Sequence, residues 1–542
     1  MKISKPYLQT FIFVIVYLFA IYFWSQPYQI RKMPYGEYDA MSHFEVADYT
    51  AYHDKSFMQL PSYIDLRYGI DNDFKPHTLW YPPAFHSSLA IGQIIGGERV
   101  VSVFLMNTVM ATFILISIYF VINSLFGFLP AILSSILIVF SPRDFMPYLW
   151  GQWPERFGYG ILPLVLYCFY KYYISYSKNE SKPIYLYLTA LLGGMNFLVH
   201  PLGFFHAAAG IFVLYILLAI KRKKLVFDWK HFLAAFLIFV AIFMMFPYQT
   251  LNVFKQISSR SAGAEEVKKA IDISRVFQWS LNPKDYEGSV PSFYFSFKDM
   301  HGIWTLPFLL IGIGILIYRR EEKDIFLLAW LISLYLLMHR DIIGKTTFLH
   351  RSLSASAHIF SPLTAIGAVY LASLIKLPSN FNKILKYGLV AIFLYLTFTI
   401  NMKTASALLN KETYNDFFST LTKEQYDAAE WILKNTDPRY NVSVIGLPHQ
   451  EQVLSATSKK IRWSAAVSQH VSRFYLLVQN ETEAKRRLKD DYIMLDYTMI
   501  EPIGEKMKPI FDIMQQMEKN DLANYSLLYN KNSIKVYKLA NK

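Results

Sequence analysis

The 542 residues are 54% hydrophobic and 17% aromatic, with a mean hydropathy of +0.24, which excludes an ordinary soluble chain. A net charge of +14 would suit nucleic acid, but Lys and Arg sit in short connections between apolar runs, so the charge reads as membrane topology and nucleic acid drops out as a partner. A single cysteine, Cys168, rules out an internal disulfide framework.

Eleven apolar runs follow one another: 8–24, 99–123, 128–141, 159–176, 184–199, 202–220, 231–247, 303–318, 325–338, 358–375 and 384–401. Most match the roughly 30 Å of a hydrocarbon core, so the expected fold class is a polytopic α-helical membrane protein with about eleven transmembrane helices. The first run lacks a small-residue cleavage site after it and reads as a retained span. The basic clusters are Lys2 and Lys5, Lys178 and Lys182, "KRKK" at 221–224, "YRREEK" at 318–323, and Lys376 with Lys383. All fall on one side if the N-terminus is cytoplasmic, which predicts a multi-pass protein of the cell (plasma) membrane.

That topology puts residues 25–98, 142–158, 248–302 and 339–357 in outer loops of a membrane domain spanning 1–402, and 403–542 in an extracytoplasmic domain. In the first loop, "EYDAMSHFEVADYTAYHD" (37–54) predicts a helix, and 83–95 is apolar but too short to span, so it lies along the interface. Residues 248–302 read as a loop over an outer cavity or as a plain linker. Beyond 402, "TKEQYDAAEWILKNT" is an amphipathic helix with Thr422 and Gln425 spaced as a capping box. "NVSVIGL" and "DYIMLDY" read as buried strands and "YSLLYNKNSIKVYKL" as a hairpin turning at 530–533. The alternation predicts a small α/β domain.

Chemistry-bearing residues crowd the outer ends of the spans. Asp39 and His43, four apart, share one helix face, whereas Asp48 points the opposite way. A carboxylate and an imidazole so placed suit either a divalent cation or a base with its orienting partner. "SPRDFMPYLWGQWPERFGYG" (141–160) adds Arg143, Asp144, Glu155 and Arg156; His86, His200, His206, His350 and Arg351 lie near other outer ends. His200 and His206 read as packing histidines, and "RREEK" as a solvated turn. The middles of the spans are almost free of charge, unlike the midplane sites usual in transporters. An enzyme acting on a lipid headgroup fits better; a transporter or flippase for a lipid-linked sugar, or a non-catalytic binder of one, is the alternative.

The order of these motifs (an Asp and His in the first outer loop, "YPPAFH", "WGQWPERFGYGILPL", and "HPL" at a span end) resembles the GT-C superfamily over roughly residues 8–402. Those are integral-membrane glycosyltransferases that use polyprenyl-phosphate-linked sugars, and "AAEWILKNT" with "LLYNKNSIKVYKL" is similar to the outer domain of archaeal and bacterial members. The resemblance implies a hexosyl- or pentosyltransferase working by inverting single displacement. Its donor is a polyprenyl-phosphate-linked sugar, and its acceptor is an extracytoplasmic glycan, lipid or protein. It implies Asp39 as the catalytic acid of the first loop, supported by His43, with either Asp144 or Glu155 in the second-loop acidic position. It also implies Arg351, with His350, on the donor phosphate; His86 and His200 are further candidates. A divalent cation, Mg or Mn, would be held by Asp39, Asp144 and Glu155. The WWD-type motif of oligosaccharyltransferases is replaced by "IRWSAA" around Trp463, which favours transfer of one sugar over a whole oligosaccharide.

Overall fold

The computed structural model describes residues 5–31, 33, 38–52, 83–149, 151–247, 250–251, 302–339, 357–371, 378–409, 423–436, 442–445, 492–498, 508–531 and 533–539. The expectations for the 248–302 loop, His350, Arg351, Thr422 and Trp463 lie outside these residues.

Each of the eleven apolar runs is helical over most of its described residues. In chain order the helices are α1 (Lys5–Trp24), α2 (Gln26–Arg31), α3 (Tyr38–Tyr52), α4 (Ala84–Gly96), α5 (Val101–Phe126) and α6 (Phe128–Val139). There follow α7 (Pro142–Leu149), α8 (Trp153–Ser177), α9 (Ile184–Val199), α10 (Pro201–Arg222), α11 (Trp229–Phe243), α12 (Leu306–Arg319) and α13 (Glu322–Met338). The last of the bundle are α14 (Phe360–Tyr370), α15 (Ser379–Leu396) and α16 (Met402–Leu409). Among the described residues, four helical stretches are by themselves long and apolar enough to cross a membrane: Pro6–Trp24, Val101–Phe126, Pro201–Arg222 and Ser379–Leu409. A fifth is reached if α6 and α7, bent by 61°, count as one. Large apolar side chains stand exposed along α1, α10, α11 and α15, among them Phe11, Phe212, Phe236 and Tyr395, as expected of faces turned to lipid rather than water.

Two features fix how the bundle packs. Helices α12 and α14 cross at Gly312 and Gly367, where any side chain would run into the carbonyls of Leu363 and Phe308. Without a hydrophobic drive between helices in lipid, such close backbone contact is a main source of association. At the α12–α13 corner, Arg320 takes a left-handed conformation, and Glu321 and Asp324 form a reciprocal capping box. Asp324 is buried and accepts Arg319 Nε at 2.8 Å, while the Arg319 guanidinium lies over the rings of Phe126 and Tyr370. The "RREEK" run is therefore an ordered corner, not merely a solvated turn.

The α15 helix passes through a π-helical segment, Thr397–Asn401, into α16, making one rod of 31 residues. At 1.5 Å per residue that is about 46 Å, longer than a hydrocarbon core, so the rod carries the chain well out of the bundle. The change of composition at 402 thus falls inside a helix, not at its end. Trp304 Nε1 donates to Asn401 Oδ1 at 2.9 Å and pins the π segment.

Beyond the rod lie α17 (Lys423–Asn435), β1 (Val442–Ile445), β2 (Tyr492–Asp496), α18 (Lys508–Asn520), β3 (Tyr525–Lys531) and β4 (Ile534–Leu539). The sheet runs β1-β2-β4-β3, with β1 and β2 parallel and the other pairs antiparallel. Ala428, Ala429 and Ile432 of α17 are buried with Met494, Ile534 and Val536 of the sheet in one apolar core. Gln425 donates to buried Asp496 Oδ2 at 2.7 Å, so this side chain ties α17 to the sheet.

Candidate functional site

Asp39 is the second residue of α3, one turn ahead of His43; its side chain lies outside the described set. Ala40, Phe44 and Ala47 bury the helix face beside them. On the far side, buried Asp48 accepts Arg99 Nε at 2.8 Å and Gln93 Nε2 at 2.9 Å, which fastens α3 to the corner between α4 and α5. Asp48 thus has a structural use.

His43 and His86 are both buried, and Nδ1 of His43 lies 2.8 Å from Nε2 of His86. Burial pushes His86 down to about 3, so its ring is neutral near pH 7, and the two imidazoles meet in a single hydrogen bond. The His43 ring also sits 6.0 Å from Trp153, the first residue of α8. The first outer helix is thereby brought against the second outer link.

That link is itself mostly helical. Gly151, at φ 82°, supplies the left-handed residue that turns α7 into α8, and Trp153 Nε1 closes the corner on the Tyr148 carbonyl at 2.8 Å. Asp144 stands in the first turn of α7, and Glu155 and Arg156 open α8. Asp144 is fully buried, and three donors converge on its Oδ1: Arg156 Nη1 at 2.7 Å, His358 Nε2 at 2.8 Å and Arg143 Nη2 at 3.2 Å. Because a carboxylate only accepts, Nε2 of His358 carries the proton. The Arg156 guanidinium stacks 4.5 Å over Trp24 at the end of α1. Glu155 takes a different path, accepting Tyr159 Oη at 2.9 Å.

The two acids left open for the second loop therefore have separate surroundings. Oδ1 of Asp144 is taken up by two guanidiniums and an imidazole N–H, while Oδ2 has no hydrogen-bond partner among the described residues. Among the described residues no three His, Cys, Asp or Glu side chains converge as a ligand set. Asp39, Asp144 and Glu155 keep the metal expectation without further support here. His200 caps α10, its Nδ1 accepting from Leu202 N at 3.3 Å, and His206 Nδ1 lies 2.7 Å from the Leu202 carbonyl.

Three members of this cluster were not assigned a role from sequence. Arg143 and Arg156 are visible in the loop but their target is not. His358 lies 214 residues from Asp144, and no spacing signals that pairing.

A sequence model of DUF6541, a family of unknown function, matches residues 5–355. No curated protein matches the sequence. Among solved structures, the apo oligosaccharyltransferase of Archaeoglobus fulgidus superposes with a TM-score of 0.59 at 15% identity, covering 99% of this chain and 75% of that one. ArnT from Cupriavidus metallidurans bound to undecaprenyl phosphate gives 0.57 at 11% identity, covering 100% and 99%. Its apo form gives 0.56 at 11%, covering 98% of each. The fold of this chain is therefore shared with both of these proteins.

Proposed function

The chain belongs to the DUF6541 family, and for it we propose a membrane glycosyltransferase that moves one sugar from a polyprenyl-phosphate donor to an extracytoplasmic acceptor. The observation that carries this reading is the end-to-end fold match to ArnT, a protein solved with a polyprenyl phosphate bound, joined to a buried set of acids, arginines and histidines at one end of the bundle. In this reading the N-terminus is cytoplasmic and the sheet domain extracytoplasmic.

Asp39 takes the proton of the acceptor hydroxyl as its oxygen forms a bond to the anomeric carbon. The bond from that carbon to the phosphate oxygen breaks, its electron pair stays on the phosphate, and polyprenyl phosphate leaves. One displacement inverts the anomeric centre. His43, hydrogen-bonded to His86, lies one helical turn along α3 from the base. Arg351, with His350, is assigned to the leaving phosphate, for which a guanidinium fork is suited. No step is routed through a metal ion.

The test is the full-length protein in lipid nanodiscs with a panel of polyprenyl-phosphate sugars and host membrane glycans, reading released polyprenyl phosphate by mass spectrometry. Acceptor-dependent release from one donor supports the reading. Intact donor throughout the panel moves the transport or binding alternative ahead.

A further inference from the structure

The Arg156 guanidinium is 3% exposed, yet only one of its three nitrogens is used. Nη1 is bound to Asp144, while among the described residues neither Nε nor Nη2 has a hydrogen-bond partner. An unmet N–H on a buried cation is costly, and these are two on one group. In a planar guanidinium the Nε–H and Nη2–H bonds are parallel and form the side-on fork, on the edge opposite Nη1. Asp144 therefore anchors one vertex and leaves the whole bidentate edge pointing away from its own negative charge. Cζ of the same guanidinium lies 4.5 Å from the centre of the Trp24 ring, a cation–π contact that adds to its anchoring. Arg156 also stands in the first turn and a half of the 25-residue α8, where the helix dipole favours an anion.

We propose that the side-on fork of Arg156 is a preformed binding site for two oxygens of a phosphate group, with Asp144 as the residue that positions it. The identity of that phosphate as the donor's lipid phosphate rests on the transferase reading; the oxyanion chemistry does not. The acid in the second loop would then aim an arginine. Lysine cannot replace the fork, since its ammonium keeps the charge but offers no paired, coplanar donors.

The experiment measures equilibrium binding of undecaprenyl phosphate, undecaprenol and inorganic phosphate to the full-length protein in nanodiscs, with chelator present, for the parent, Arg156→Lys and Asp144→Asn. The expected result is a loss of undecaprenyl phosphate affinity of at least about tenfold in Arg156→Lys, the size of a lost charge-assisted hydrogen bond. A smaller loss is expected in Asp144→Asn, and undecaprenol binding should not change in either. Arg156→Lys binding the lipid phosphate as tightly as the parent overturns the proposal. Inorganic phosphate bound with the same Arg156 dependence, while the lipid phosphate is not, keeps the oxyanion site and removes its link to the donor. Should Arg156→Lys fail to fold, Arg156→Gln, which leaves Asp144 paired with Arg143 and His358, carries the same test. Arg156-dependent binding without any sugar transfer would leave this site standing and sink the transferase reading. Transfer and binding both unaffected by Arg156→Lys would do the reverse.

Discussion

Asp144 has the heaviest electrostatic duty of any single side chain described. It is the shared acceptor of two buried guanidiniums and His358, so removing it leaves cations stranded in an apolar setting. We expect Asp144→Ala to lower stability by about 3–5 kcal/mol, the usual penalty for breaking a buried ion pair from one side. Denaturation of the purified protein in detergent checks this, with Glu155→Ala as the comparison. An Asp144→Ala protein as stable as the parent would mean that the cluster is not formed as described. The sequence made half of this site legible. Asp39 and His43 announce themselves because an i, i+4 pair is a local fact about one helix. The partnership of Asp144 with His358 is a long-range fact, set by where α14 starts relative to α7, and neither helix carries a mark of it. Arg143 and Arg156 were in plain view, but arginines near a membrane surface are common and their target is a matter of geometry.

Helix positions are what transmit packing to that cluster. His358 lies in the turn Ala357–Ile359 that leads into α14, and α14 is seated on α12 through Gly367 and Gly312. A methyl group at Gly367 falls on the Phe308 carbonyl, a backbone atom that cannot swing aside. Gly367→Ala should therefore cost about 1–3 kcal/mol by overpacking and push α14, with His358, away from Asp144. Thermal melting reads the first effect and loss of lipid-phosphate affinity the second; Gly314→Ala, which meets nothing nearby, is the matched control.

In the sheet domain, Glu518 of α18 accepts Tyr497 Oη at 3.0 Å, Lys535 Nζ at 2.5 Å and the Tyr537 hydroxyl. Burial alone would raise its carboxyl, but these donors outweigh burial and lower it from the ordinary 4.5. A carboxylate with a lowered folded-state pKa stabilises the fold above its unfolded value and loses that contribution as pH falls through the folded one. The link between α18 and the hairpin should therefore weaken below about pH 4.5, and Glu518→Gln should flatten that part of the stability–pH curve. An unchanged acid limb in Glu518→Gln would contradict the assignment. The strands and the hairpin of this domain were legible from alternation and turn residues. The side chain of Gln425 was less so: it sits where a capping box would use it but reaches Asp496, 71 residues on.

The molecule is a helical bundle with the Asp144 ionic cluster at one end and a sheet domain that follows the long rod of α15 and α16. The eleven apolar runs were readable because a membrane demands continuous apolar helix, and each run is helical over most of its described residues. Length alone was a weaker guide: among the described residues four helices meet the requirement for crossing unaided, and the α6–α7 pair bends by 61° between its halves. The rod through residue 402 was hidden because composition turns polar there while the backbone stays helical. The central claim is that this bundle end performs sugar transfer with Asp39 as base. Single-turnover consumption of a polyprenyl-phosphate sugar by the parent and by Asp39→Asn tests it most directly. We expect transfer by the parent and a loss of roughly 10²–10⁴-fold in Asp39→Asn, with lipid-phosphate binding and melting temperature retained. Equal transfer rates for the two proteins would contradict the account.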